Sequence, residues 1–104
     1  MPLSPLSEDA IRTLAVSHRE QTKNEYGRPI VGGFSVTDGL GNTARVSHTI
    51  VEPDLLNPDR PTDDELTDAR HRMVTAYAET LEREGWTVRR RRMDSRRPYL
   101  LATR

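Results

Sequence analysis

Between Thr62 and Gly85 the chain carries one long helical signal, and that segment limits what the rest can fold into. Thr62-Asp63-Asp64-Glu65 has the spacing of a capping box, in which the Thr62 hydroxyl takes the Glu65 amide and the Glu65 carboxylate reaches back. Leu66, Ala69, Met73, Tyr77 and Leu81 recur at helical spacing, with Val74 and Ala76 beside them. Gly85 is placed to close the helix in a left-handed conformation. About 22 residues at a rise of ~1.5 Å span roughly 33 Å, enough to cross a four-stranded sheet.

Four strands are available for that sheet. Ile30 to Thr37 and Thr43 to Val51 are rich in β-branched residues, and Asp38-Gly39-Leu40-Gly41-Asn42 between them predicts a hairpin turn. In the second strand Ala44, Val46, His48 and Ile50 alternate with Arg45, Ser47 and Thr49, the period of a strand with one buried face. Phe34 and Val36 share that face from the first strand. Trp86-Thr87-Val88 starts a third strand and Tyr99 to Thr103 a fourth, with Asp94, Ser95 and Pro98 supplying the turn.

A further helix is expected from Ser7 to Glu25. Ser7 serves as its N-cap, Glu8 and Asp9 suit the positive end of the dipole, and Gly27 with Pro29 closes it. Its apolar stripe, Ile11, Leu14, Ala15 and His18, is narrow. Pro53, Pro58 and Pro61 make residues 52–61 a connection, from which Leu55 and Leu56 can tuck onto the core. The predicted fold is thus α+β, with a single layer of helices on a mostly antiparallel four-stranded sheet, in the order α-β-β-α-β-β. The double-stranded-RNA-binding order α-β-β-β-α is not followed, and these residues match no family motif.

With 104 residues, a single domain (1–104) is expected. Only 34% of the residues are hydrophobic, so the stability margin is thin unless a partner or a second copy contributes. The absence of cysteine excludes disulfides, thiolate metal sites and thiol nucleophiles. The opening Met1-Pro2-Leu3-Ser4 has neither the basic nor the apolar region of a signal peptide, and no apolar run approaches the ~18 residues of a membrane span. A cytoplasmic protein without membrane contact is expected.

A formal net charge of zero conceals a separation of charge along the chain. Residues 52–84 carry ten acidic and four basic side chains, whereas residues 85–104 carry seven basic and one acidic. Such asymmetry suggests a partner. Arg89, Arg90, Arg91 and Arg92 follow Val88 in strand register, so Arg90 and Arg92 fall on the core-facing side. Guanidinium groups are almost never buried unpaired. The strand is therefore expected to leave the core after Val88 and project, with its partner strand, as an Arg-rich hairpin over residues 86–103.

The candidate partner-binding residues are Arg89, Arg90, Arg91, Arg92, Arg96, Arg97 and Tyr99. Guanidinium forks match phosphate geometry, and a two-stranded ribbon has the width to enter a major groove. The expected function is that of a small binding or adaptor protein taking an anionic partner, with nucleic acid foremost. The alternative is a protein partner or self-assembly, in which the hairpin meets the acidic 52–68 segment of another copy. Tyr99 and Trp86 are too few aromatics for a single-strand stacking platform.

Other constellations carry less. Glu52, Asp54, Asp59, Asp63, Asp64, Glu65 and Asp68 lack the spacing of a calcium loop. His18, His48 and His71 lack zinc spacing. His48 reads as a hydrogen-bonded core residue, and His71 sits between Arg70 and Arg72 on the polar side of the helix. Gly32-Gly33 reads as a strand bend and not as a phosphate loop. No nucleophile motif is present, so no enzyme, metal or cofactor is expected.

Overall fold

The long helix and the sheet beneath it form as their local signals dictate. The computed structural model describes residues 3–51 and 56–104. In chain order the elements are α1 (Pro5–Ala15), β1 (Thr22–Lys23), β2 (Pro29–Val31), β3 (Gly33–Asp38), β4 (Ala44–Thr49), α2 (Asp63–Arg83), β5 (Thr87–Arg91) and β6 (Tyr99–Thr103). The main sheet is antiparallel in the order β3-β4-β6-β5, and β1 pairs only with β2. This is the α+β arrangement predicted, with a small hairpin added.

The capping box of α2 is complete. The Glu65 amide donates to the Thr62 hydroxyl at 3.1 Å, and the Thr62 amide donates to the Glu65 carboxylate at 3.3 Å. At the other end Gly85, at φ 90°, lets the Trp86 amide reach the Leu81 carbonyl and the Gly85 amide reach the Glu82 carbonyl. That pair of bonds is a Schellman closure.

The first helix departs from expectation at both ends. Ser4 is the N-cap, with Pro5 in the first turn, where its missing N–H costs nothing. Ser7 is instead buried, and its hydroxyl donates to Asp38 at 2.6 Å, tying the helix to the end of β3. The helix stops at Ala15, well short of Glu25, because the chain turns to line the free edge of β3. There the Phe34 amide donates to the Arg19 carbonyl at 2.8 Å, and the Gln21 amide donates to the Phe34 carbonyl at 2.9 Å. A helix continued to Glu25 would leave both Phe34 groups unpaired. Gly33 permits the close approach, since a Cβ there would be driven into the Arg19 carbonyl. Gly27 belongs to the β1–β2 turn, where Asn24 Oδ1 accepts from the Tyr26 and Arg28 amides.

The core lies between the helices and one face of the sheet. Ala10 and Leu14 of α1 and Val74, Tyr77, Ala78 and Leu81 of α2 meet Phe34, Val36, Ala44, Val46, Leu100 and Ala102. Trp86 closes one end. Each large side chain fully buried there contributes roughly 1.5–3 kcal/mol. No described element covers the opposite sheet face. Of the 52–61 connection, residues 52–55, including Leu55, lie outside the described residues. Leu56 does not tuck onto the core but is 91% exposed.

Candidate functional site

Residues paired directly across an antiparallel ladder share a face. Arg45 pairs with Leu101 and Leu101 with Arg89, which sets the three in a row across the sheet. Arg91 and Tyr99 form a pair in the next row. Their chain neighbours Val46, Leu100 and Ala102 are buried under the helices, so this row and its neighbours lie on the uncovered face. The other side chains in strand register there are Ser35, Thr37, Ser47, Thr49, Thr87 and Thr103. Arginines and hydroxyls thus dominate the face, and none of its strand positions holds a carboxylate. The Arg45 guanidinium lies 4.0 Å over the Tyr99 ring, a cation–π contact that holds the charge in place and covers one side of the ring.

Alongside this face is a cleft. The β4–β6 ladder ends at Val46–Leu100, while β5–β6 pairing continues to Arg91–Tyr99. The two central strands part there and leave a space of about 320 Å³ lined by Arg45, Ser47, His48, Thr49, Ile50, Arg70, Arg97, Pro98 and Tyr99. Arg70 comes from α2, at the start of the inward series Arg70, Val74, Tyr77, Leu81. It is half-buried, and burial followed by the nearby Arg97 charge lowers its proton affinity, against a weaker opposite pull from Asp63. Among the described residues Arg45, Arg70 and Arg97 make no ion pair.

A polar chain runs from the cleft into the core. His48 Nδ1 and the Tyr77 hydroxyl share a hydrogen bond of 2.6 Å. On the other side of Tyr77, His18 stands edge-on to its ring and shares a 2.8 Å hydrogen bond with the Thr80 hydroxyl. Desolvation pushes both histidines below their ordinary pKa, helped by Arg83 at His18 and by Arg70 at His48. Burial pushes the Tyr77 hydroxyl well above its usual range. Among the described residues no three of His, Cys, Asp and Glu converge as metal ligands do.

The C-terminal arginines divide. Arg89 and Arg91 lie on the open face, and Arg97 and Tyr99 line the cleft. Arg92 leaves the strand at φ 55°, and Arg96 is exposed in the turn. Arg90 faces the helix layer but is bonded to Glu82 at 2.9 Å, and Arg104 is paired with Asp9 at 2.6 Å. The strand does not leave the core after Val88, contrary to expectation. As the edge of the sheet it runs beside the end of α2, where the Arg90 side chain is 39% exposed and reaches a carboxylate without being engulfed.

The turn beyond is docked as well. His71 Nε2–H donates to the Ser95 carbonyl at 2.7 Å, so His71 is not simply on the polar side of α2. Arg45 and Arg70 were missed as site residues. For Arg70 the signal was available, because it falls four residues before Val74 and seven before Tyr77. Arg45 joins the site only through the β4–β6 register.

No match to this chain was found in three comparisons, with family models, with curated proteins and with solved structures. Among the described residues no helix is long and apolar enough to cross a membrane.

Proposed function

We propose that this chain is a binding protein, not an enzyme, and that its partner is nucleic acid held by phosphate contacts on the uncovered sheet face. The observation that supports this reading is the make-up of that face: Arg45, Arg89 and Arg91 among hydroxyl side chains, without a carboxylate in strand register. Arg92, Arg96 and Arg97 extend it into the turn, and none of these six makes an ion pair among the described residues. Guanidinium forks and hydroxyls are the donors that phosphate oxygens take. Tyr99 already carries Arg45 on one side of its ring, which favours backbone contact with a duplex over base stacking.

Fluorescence anisotropy with a labelled DNA duplex at several salt concentrations tests the proposal. Six phosphate contacts give a log–log salt slope of about −5. Arg89→Ser with Arg91→Ser should reduce that slope by about 2 and leave the thermal midpoint nearly unchanged, since both side chains are exposed. Absence of binding at ~50 mM salt overturns the proposal. If light scattering then shows an oligomer that dissociates as salt rises, the basic face meets the exposed acids Asp59, Asp63, Asp64 and Asp68 of a second copy.

A further inference from the structure

The cleft between β4 and β6 differs from the open face in depth and in the way its charges arise. Folding brings Arg45 from β4, Arg70 from α2 and Arg97 from the β5–β6 turn to one opening. None of the three makes an ion pair among the described residues. Among the described residues Asp63 is the carboxylate that acts on Arg70, and it does so without an ion-pair contact. Three cations held together in this way leave positive charge that a ligand must balance if the cleft is to be filled. Arg70 is costly to place there, because it occupies an inward helix position that an apolar residue would fill at no electrostatic cost.

We propose that this cleft seats a phosphomonoester, a phosphate group carried at the end of a molecule and bearing close to two negative charges. An internal phosphodiester carries a single charge and balances the cluster less well, whereas a monoester carries about −1.5 to −2 at neutral pH. The guanidiniums offer bidentate donors, and the Ser47 and Thr49 hydroxyls line the same space. At about 320 Å³ the cleft stands at the small end of ligand sites, which run from ~300 to ~1,000 Å³. It therefore admits the phosphate with a sugar-sized group attached. His48 lines the wall with Nδ1 committed to Tyr77 and adds no charge of its own while neutral.

Taken with the proposed function, on which this extension rests, the seated group is the terminal phosphate of a nucleic-acid strand. The docked turn fixes one wall of the seat, because His71 and Ser95 hold the segment that carries Arg97.

The test has two arms. In the first, inorganic phosphate is titrated into the intact protein by calorimetry, and into Arg70→Met, which keeps the length of the side chain. Wild type should bind and the variant should lose about tenfold or more. Arg97→Ser, at an exposed position, serves the same purpose should Arg70→Met fail to fold.

In the second arm, short duplexes with 5′-phosphate, 3′-phosphate or hydroxyl ends are compared. Wild type should prefer one phosphorylated end by about tenfold, and Arg70→Met should lose the preference while still binding the hydroxyl-ended duplex. Equal affinity for all three duplexes, with no phosphate binding, overturns the inference and leaves the proposed function standing. Phosphate binding that Arg70→Met abolishes, with no duplex bound at all, supports the seat and overturns the proposed function.

Discussion

Replacing Tyr77 with Phe isolates a short polar contact at the edge of the core. The ring stays, with its edge-on neighbours His18 and Phe34, so no cavity opens. What is lost is the hydroxyl that shares a 2.6 Å hydrogen bond with His48 Nδ1. A typical hydrogen bond contributes about 1 kcal/mol net, and a buried partner left unsatisfied raises the cost to about 1–3 kcal/mol. His48 is only half-buried and lines the cleft, so water can partly replace the hydroxyl, which places the cost near 1.5 kcal/mol.

For a domain near this size each kcal/mol moves the thermal midpoint by roughly 4–8 °C, so Tyr77→Phe should melt about 6–12 °C below wild type. Urea unfolding of Tyr77→Phe, His48→Leu and the double variant completes the cycle. The two single costs should exceed the cost of the double by about 0.5 kcal/mol or more. Simple additivity, or a Tyr77→Phe midpoint equal to that of wild type, would refute the claim that this pair acts as a unit.

Stability should also fall with acid in a window set by the two histidines. Both have folded pKa values below the ordinary 6.5, so the unfolded chain takes up protons first as the pH drops. Stability is full above about pH 6.5 and declines below it until the lowered folded values are reached; a urea midpoint unchanged between pH 7.5 and 5 would contradict this. The lowered Asp38 carboxyl, held by the Ser7 and Ser4 donors, acts only below its ordinary 3.8 and does not blur that window. Gly33→Ala should cost at least about 2 kcal/mol, because the new methyl meets backbone that is itself hydrogen-bonded to β3, and loss of amide-exchange protection at Phe34 would report the opened edge.

Features whose determinants are adjacent in the chain were legible in the sequence. The capping box at Thr62, the closure at Gly85 and the Asp38–Asn42 turn each need only a few neighbouring residues, and each formed as expected. The end of α1 was not legible, because it depends on a sheet edge supplied by Phe34, far along the chain from Ala15. The start of α1 was placed at Ser7, whose real task is to hold Asp38, whereas the cap is Ser4 ahead of Pro5. The path of β5 was misjudged for a related reason. Alternation shows which way Arg90 points, but only the strand order places it at an edge with Glu82 in reach. The cleft was invisible from the sequence, since it exists only where one ladder stops and another continues.

The position of β5 has a consequence for solubility. It is the last strand of the sheet, and no described strand pairs with the backbone donors and acceptors of its outer side. Such a margin invites a neighbouring molecule to add its own strand, and natural proteins commonly block that growth with charge. Here Arg89 and Arg91 lie along it, so two copies approaching margin to margin bring like charges together within a Debye length. A polyanion that neutralised those guanidiniums would lift the barrier along with the charge, and copies crowded on one strand of it could then join sheet to sheet.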